Sequence, residues 1–194
     1  MIKVGRNNNL ELVQIRDEIR KILNSNSIKE NQDIIIKYIP ELKYMVGFDH
    51  KHPHHHLDVW EHTLVVLQNL NESNDLELKM AGLLHDIGKP FSYQDEEVRH
   101  FHGHPEVSYK MSIEILKRLG YPKEFIEHVS YLVLKHDTPI DPNNLDNSYE
   151  MTKKLLQLQY ADAKAHHPEK LKKRTDFLDT ILQQLEELKT INER

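Results

Sequence analysis

The chain has 194 residues, a formal net charge of −5, 14 histidines and no cysteine. This length favours a single domain with a sizeable core. The lack of cysteine excludes disulfides and thiolate metal ligands. The acidic balance argues against extended nucleic acid as a partner, because proteins that hold it usually present a basic face. The sequence has neither a membrane-length apolar run nor a signal-peptide pattern, so we expect a cytoplasmic protein that does not enter a membrane.

The N-terminal part of the sequence predicts helices joined by short turns. Residues 1–8 are expected to form a loose start. Apolar residues then recur at helical spacing over 12–23 and again over 28–39, where Pro40 ends the pattern. Residues 41–46 add one or two further turns, and strand alternation is scarcely visible anywhere.

Residues 49–58 form a loop by composition and carry a run of histidines. Such runs bind metal nonspecifically. We interpret this run as structural, packing near a site, and keep metal ligation by one of its members as the alternative. The run comprises His50, His52, His54, His55 and His56.

Two predicted helices follow the histidine-rich loop. Asp58 is a suitable N-cap for the first, which carries His62 at the edge of its apolar stripe. The second, over 76–87, is apolar nearly all round and is therefore predicted to be buried. It ends in the doublet His85-Asp86. A buried imidazole beside a buried carboxylate needs partners, because unpaired burial is costly.

Helix-stopping residues come directly after this doublet. Gly88 suits a left-handed cap, and Pro90 cannot continue the helix. Residues 90–103 are polar and turn-like, which favours a flap over whatever the doublet binds. We expect this flap and the loop 138–147 to shape a substrate pocket.

The next two predicted helices each place a histidine beside the interior. His104 opens the first, followed by proline at the favoured first helical position, and Gly120 ends it. Pro122 opens the second, whose apolar stripe runs into His136. His128 lies at the edge of that stripe and is the competing candidate.

The last two predicted helices differ in character. The first carries Asp162 on its core-facing stripe, where a charge is not placed without a partner. His166 follows one turn later and could support it, whereas His167 is expected to be solvated. Pro168 opens a long charged helix with one apolar face, which we expect to pack on the domain. A homodimer contact is the alternative for that face.

Several separate helices thus direct imidazoles and carboxylates toward one interior. Nitrogen and oxygen donors without sulfur suit divalent Mn, Fe, Co, Ni, Zn or Mg. A cation neutralises the two carboxylates, which would otherwise raise each other's pKa. We therefore predict a divalent metal site formed from His62, His85, Asp86, His104, His136 and Asp162.

The order of His62, His85-Asp86 and Asp162 resembles the HD-domain superfamily of metal-dependent phosphohydrolases. The stretches 54–64, 83–90, 101–104 and 160–163 are similar to the HD half of bacterial tRNA nucleotidyltransferases and poly(A)-polymerase-type proteins. This resemblance implies an all-α fold, a multi-helix HD-domain bundle with a metal site in its core. We predict a single domain over 1–194, with its core at about 40–168, N-terminal helices at 9–39 and a C-terminal helix at about 168–190.

The resemblance implies one divalent ion held by His62, His85, Asp86 and Asp162. Some superfamily members hold two ions, bridged by the aspartate of the doublet, and His104 and His136 match the two further histidines. One or two ions are therefore expected. The candidate catalytic residues are Asp86, His104, His136 and Lys89. Lys89 is placed to meet phosphate charge, with a solvated loop lysine as the alternative, and Arg99 and Arg118 are weaker candidates.

The implied chemistry is hydrolysis of a phosphoester by metal-activated water. The substrate is expected to be small and phosphorylated: a nucleotide, a cyclic phosphate or an RNA end. The alternative is a non-catalytic HD module that recognises RNA or a protein partner. Residues 1–48 do not resemble the polymerising domain of the nucleotidyltransferases. CCA addition is therefore not expected, and we expect the hydrolytic half on its own.

Overall fold

The computed structural model describes residues 4–25, 27–49, 51, 57–94, 99–145, 147–166 and 168–192. The loop histidines His50, His52, His54, His55 and His56 lie outside these residues, and so does His167. Within the described ranges the chain is helical, with two isolated β-bridges, Asp49 to Asp58 and Gln94 to His100. The predicted all-α fold is confirmed. The elements are α1 (Val4–Leu23), α2 (Gln32–Tyr38), a 3₁₀-helix (Pro40–Tyr44), α3 (Val59–Asn69), α4 (Leu76–Leu84), α5 (Lys89–Ser92), α6 (His104–Arg118), α7 (Lys123–Lys135), α8 (Tyr149–Lys164) and α9 (Pro168–Asn192).

The N-terminal helices differ from their predicted bounds. Helix α1 begins at Val4, so the expected loose start is wrong from residue 4 onward. Helix α2 begins four residues later than the apolar pattern predicted. The Asn31 side chain donates a hydrogen bond of 2.8 Å to the carbonyl of Ser27. A side chain that satisfies the backbone locally in this way favours a turn over an added helical turn.

Helix α3 begins where the sequence predicted, at a complete capping box. The Glu61 amide donates to Asp58 Oδ1 at 2.7 Å, and the Asp58 amide donates to Glu61 Oε2 at 3.3 Å. These two bonds satisfy amides that the first helical turn leaves without partners. Helix α4 packs against α1, α3, α7 and α8, and its residues 78–84 are all buried. The prediction that this helix is buried is confirmed.

Gly88 has a different role from the one predicted. Its φ is −81°, so it is not in the left-handed region, and Pro90 stands at the second position of the new helix α5. A Cβ at Gly88 would lie 2.6 Å from the Ser108 backbone nitrogen and 2.8 Å from the carbonyl oxygen of His104. Close approach to α6 therefore requires glycine here, and this approach holds the end of α4 against the start of α6.

Helices α6, α7 and α9 complete the fold around α4 and α8. Gly103 and Gly120 both have positive φ, 75° and 70°, and they flank α6. Helix α7 packs on α4 and α6, and α9 packs along α8 through its buried apolar face of Leu178, Ile181 and Leu185. None of the described helices is both long enough and apolar enough to cross a membrane.

Candidate metal centre

Helix ends and one helix face bring the predicted ligands together. His62 lies on α3 and Asp162 on α8. His85 and Asp86 stand in the turn just after α4, His104 is the first residue of α6, and His136 caps the C-terminus of α7. All of these side chains are buried. The four elements that flank the doublet thus each contribute to one interior cluster.

One half of the cluster lies between α3, α4 and α8. His62 Nε2 is 3.1 Å from Asp162 Oδ1 and 3.4 Å from His85 Nε2. His85 Nε2 is 3.2 Å from Asp86 Oδ2. Donor atoms that share one ion at about 2.1 Å lie roughly 3.0 to 3.4 Å from one another. Three separations among these four side chains lie in this range, whereas His62 Nε2 to Asp86 Oδ2 is 3.6 Å and His85 Nε2 to Asp162 Oδ1 is 3.9 Å. The four side chains therefore surround one common point, at spacings close to those of a shared cation.

The other half lies between α4, α6 and α7. Asp86 Oδ1 is 3.3 Å from His104 Nε2 and 3.7 Å from His136 Nε2. The two imidazole nitrogens are 3.2 Å apart. Asp86 therefore presents Oδ2 to the first half and Oδ1 to the second. The donor atoms of His62, His85 and Asp86 lie close enough together to hold a metal ion, and so do those of Asp86, His104 and His136.

Backbone carbonyls set the orientation of three of these imidazoles. His85 Nδ1 pairs with the carbonyl of Gly82 at 2.8 Å, His104 Nδ1 with Phe101 at 3.0 Å, and His136 Nδ1 with Val133 at 2.7 Å. A carbonyl only accepts, so each Nδ1 carries the proton. Each Nε2 then offers its lone pair to the centre, which is how proteins orient histidine ligands.

The centre keeps its carboxylates ionised. Burial alone would raise the pKa of Asp86, but the nearby charges of His85 and Lys89 hold that pKa well below its usual range. Burial likewise opposes ionisation of Asp162. The hydrogen bond from His62 and the charges of His166 and Arg174 nevertheless hold its pKa well below the usual range. Both aspartates are therefore anionic at neutral pH.

Burial lowers the pKa of both His62 and His85, but the net pKa shifts of these two imidazoles have opposite directions. Burial lowers the pKa of His62, against the pull of Asp162. Burial also lowers the pKa of His85, but the charge and hydrogen bond of Asp86, with smaller contributions from Asp162 and the Gly82 carbonyl, together outweigh it, so the net shift is upward. Burial thus favours the neutral form of His62, whereas the neighbouring carboxylates favour the protonated form of His85 while no metal is bound.

The donor set fits a divalent cation. Both Asp86 oxygens are buried, and within the described residues neither accepts a hydrogen bond of good geometry. A buried carboxylate in this condition is costly unless a cation balances it. The Lys89 ammonium, whose Nζ lies 2.8 Å from Asp86 Oδ2, supplies one positive charge on that side of the carboxylate. Nitrogen and oxygen donors without sulfur suit the borderline and hard divalent metals.

Two residues near Asp162 extend the cluster. Arg174 on α9 donates to Asp162 Oδ2 at 2.8 Å, which leaves Oδ1 for the imidazoles. His166 Nδ1 is 3.7 Å from Asp162 Oδ1, in line with its predicted supporting place. Arg174 was missed at the sequence level, because it belongs to a charged helix in which basic residues recur without a distinguishing pattern.

A cavity of about 260 Å³ opens beside the cluster. Described residues 99–102 of the predicted flap line it, together with Lys89, Asp137 and Arg174. Lys89 is buried, so it is not a solvated loop lysine. Of the loop 138–147, several described residues line a separate cavity of about 170 Å³ and none lines this one. The prediction that this loop shapes the pocket is therefore wrong for its described part.

Two weaker candidates lie away from the cavity. Arg118 pairs with Glu41 through two bonds of 2.7 and 2.8 Å at the surface. His128 Nδ1 is 3.0 Å from Glu77 Oε1, and the histidine that the structure brings to Asp86 from α7 is His136. Arg99 is buried and lines the cavity.

Comparison with known proteins agrees with this geometry. The family model of the HD domain matches residues 54–189, more than half of the chain. The chain belongs to the HD-domain family. This membership supports a place among metal-dependent phosphohydrolases, and HD domains bind divalent metals.

Curated relatives of this HD domain are tRNA nucleotidyltransferases. The CC-adding enzyme of Thermus thermophilus is 35% identical over 135 residues, which cover 63% of the chain and 31% of that protein. The A-adding enzyme of Deinococcus radiodurans is 31% identical over 170 residues, which cover 78% of the chain and 39% of that protein. The multifunctional CCA protein of Nitrosomonas eutropha is 28% identical over 92 residues. The chain thus spans well under half the length of these relatives.

We predict that His104→Ala removes one of two bound metal equivalents. His104 contacts only the Asp86 Oδ1 half of the cluster, so the half with His62 and Asp162 keeps its donors. Elemental analysis after equilibration with Mn²⁺ measures the stoichiometry. His128→Ala is the matched control, since His128 faces Glu77 instead. Equal metal content in His104→Ala and the unmodified protein would show that His104 does not hold a second metal ion.

Proposed function

We propose that this HD domain is a metal-dependent phosphohydrolase that cleaves a phosphoester of a nucleotide, a cyclic phosphate or an RNA end. The observation that carries this proposal is the buried Asp86 carboxylate, which offers one oxygen to each half of the histidine cluster. In this proposal His62, His85 and Asp162 hold one cation, His104 and His136 hold a second, and Asp86 contacts both.

Divalent cations held there would lower the pKa of a bound water and neutralise charge on the phosphoryl oxygens. The chain's own residues keep the centre ready for them. Carbonyls hold three imidazoles in one tautomer, and Arg174 holds Asp162 with one oxygen inward. Lys89, Arg99 and Arg174 bring positive charge to the cavity wall, where charge-assisted hydrogen bonds to phosphate oxygens are strong.

The relatives bear on the choice of substrate. They are named for adding nucleotides to tRNA, which supports an RNA end as one member of the proposed substrate class. The site described here lacks nothing that water-dependent cleavage needs from protein side chains: an anionic bridge, neutral imidazoles and cations for phosphate. For this reason we propose hydrolysis as the reaction of this domain.

The direct test is hydrolysis of a generic phosphodiester and a generic phosphomonoester by protein loaded with Mn²⁺ or Ni²⁺. Bis(p-nitrophenyl) phosphate and p-nitrophenyl phosphate serve as the two probes. We expect turnover of at least one probe, lost when the metal is chelated. Protein that binds metal at full stoichiometry and cleaves neither probe would overturn the proposal and favour the non-catalytic binding module.

We predict that Lys89→Ala chiefly weakens substrate binding. Lys89 is buried at the cavity wall, 2.8 Å from Asp86. Loss of its charge-assisted bond to a phosphate should raise KM by about tenfold or more, while metal stoichiometry is retained. Steady-state kinetics with metal analysis separates the two effects. A fall in kcat with unchanged KM would show that Lys89 does not act mainly by binding the substrate.

A further inference from the structure

A group of aromatic side chains extends from the metal cavity onto the surface. This aromatic ridge comprises Tyr44, Phe48, Phe91, Tyr93 and Phe101. Phe48 packs against Phe101 at a ring separation of 6.4 Å and against Tyr93 at 5.2 Å, and Tyr44 meets Phe91 at 5.3 Å. Tyr44, Phe91 and Tyr93 are 50%, 49% and 43% exposed. Three large rings therefore face solvent, and one of them, Tyr93, is linked through Phe48 to Phe101 at the cavity wall.

Cations lie over the rings along this ridge. Lys89 lies over Phe101 at 5.4 Å, and Lys43 over Tyr44 at 5.0 Å. Arg99 lies over two rings, 4.6 Å from the Phe48 centroid and 4.7 Å from that of Tyr93. Its Nη1 also donates to the carbonyl of Asp49. Four of the five ridge rings thus have a cation over them.

The aromatic ridge is continuous with the cavity. Lys89, Arg99 and Phe101 line the cavity and are also members of the ring and cation contacts. A phosphate seated at the metal centre would therefore place the neighbouring part of its molecule against these rings. The cavity, at about 260 Å³, is smaller than the pockets of roughly 300–1,000 Å³ that enclose most of a drug-sized ligand.

We propose that the aromatic ridge is a stacking platform for a short single-stranded nucleic acid whose terminal phosphate enters the cavity. Bases stack on aromatic side chains while cations meet the intervening phosphates, which is how single strands are bound without base readout. This inference rests on the proposed function for the terminal phosphate and adds the substrate class: an oligonucleotide end in place of a free mononucleotide.

Charge and exposure favour this occupant over a long strand or an apolar partner. The chain carries a net charge of −5, and the ridge has one exposed cation, Lys43, besides Lys89 and Arg99 at the cavity wall. This small number of cations suits a few nucleotides. An apolar protein surface would not interact favourably with the charges of Lys43 and Arg99. A single strand of nucleic acid offers bases for the rings and phosphates for these two cations.

Binding of a fluorescein-labelled hexaadenylate, measured by anisotropy on the full metal-free chain, tests the platform without turnover. We expect Tyr44→Ala and Tyr93→Ala each to weaken binding by about tenfold, as loss of a stacked base does. Lys43→Gln should reduce the slope of log K against log salt concentration by about 0.7. A blunt-ended duplex of the same sequence should bind more weakly, because its bases are not free to stack.

Phe177→Ala is the matched control, since Phe177 is an exposed phenylalanine on α9 and is not a member of the aromatic ridge. Binding that is unchanged in both ridge variants, or reduced equally by Phe177→Ala, overturns the platform. Sedimentation that shows a dimer dispersed by Tyr44→Ala also overturns it, because a second copy would then be the occupant.

Kinetics separate this inference from the proposed function. We expect kcat/KM for a hexanucleotide with a terminal phosphate to exceed that for the matching mononucleotide, and the ratio to fall in Tyr93→Ala. Hydrolysis of mononucleotides with no preference for the longer chain would overturn the platform and leave the phosphohydrolase standing. Binding that depends on the ridge, without hydrolysis of any phosphoester, would overturn the phosphohydrolase and leave the platform standing.

Discussion

Asp86→Asn is expected to lose metal from both halves of the centre and to abolish turnover. The side chain keeps its shape, but it loses the charge that faces His85 through Oδ2 and His104 through Oδ1. A bound cation contributes several kcal/mol to stabilising phosphoryl charge, which corresponds to a rate loss of about 10³-fold or more. Asp86 directs one carboxylate oxygen to each half, so we expect this substitution to have a larger effect than the loss of any single imidazole.

Elemental analysis and initial rates measured on the same preparation check this expectation. Asp17→Asn is the matched control, because Asp17 is an exposed residue of α1 paired only at 3.9 Å with Arg20. Circular dichroism shows whether the variant has kept its helices. Wild-type metal content in folded Asp86→Asn would show that Asp86 does not bridge the two halves.

Helical periodicity was enough to predict most of the centre. His136 continues the apolar stripe of its helix, and Asp162 lies on a core-facing stripe, so spacing alone placed both of them inside. His62 and the doublet followed from the same patterns. The structure brings these residues together because the helices that carry them all pack on α4 or on its neighbours.

Residues that reach the centre across tertiary space could not be predicted in this way. Arg174 meets Asp162 only because α9 folds back along α8, and nothing in its local pattern distinguishes it from the lysines around it. Gly88 was misinterpreted for a related reason. Its lack of a side chain serves contact with Ser108, twenty residues later in the chain, and not its own backbone conformation.

These long-range contacts make the C-terminal helix part of the centre. Arg174 fixes which oxygen of Asp162 faces His62, and α9 holds Arg174 through its buried apolar face. Packing of α9 on α8 therefore also orients the Asp162 carboxylate, and a loss of this packing would release it. Side chains on four other elements close the same cluster, so a cation bound there would hold helices distant in sequence against one another.

Chelation of the metal is accordingly expected to lower the melting temperature strongly. A metal at a thousandfold excess over its Kd stabilises the folded state by about 4 kcal/mol. For a domain of this size each kcal/mol shifts Tm by about 2–4 °C, so removal should lower Tm by roughly 8–16 °C. Differential scanning calorimetry with and without chelator measures the shift, and Asp86→Asn should show almost none.

The difference in Tm between metal-loaded and chelated protein should grow as pH rises. The raised pKa of His85 stabilises the metal-free fold below the unfolded histidine pKa of about 6.5, and that gain is lost as pH rises through the raised value. The lowered pKa of His62 acts in the opposite sense, with stability lost as pH falls below about 6.5. These two effects oppose each other in the metal-free state.

Metal binding needs every imidazole neutral, so protons compete with it from the raised pKa of His85 downward. The lowered pKa values of Asp86 and Asp162 keep both carboxylates ionised throughout this window, so they contribute no slope. The metal-dependent part of the stability is therefore governed by the histidines. A Tm difference that stays constant from about pH 5.5 to about pH 8, the window in which histidines titrate, would mean that the stabilising ion is not held by these imidazoles.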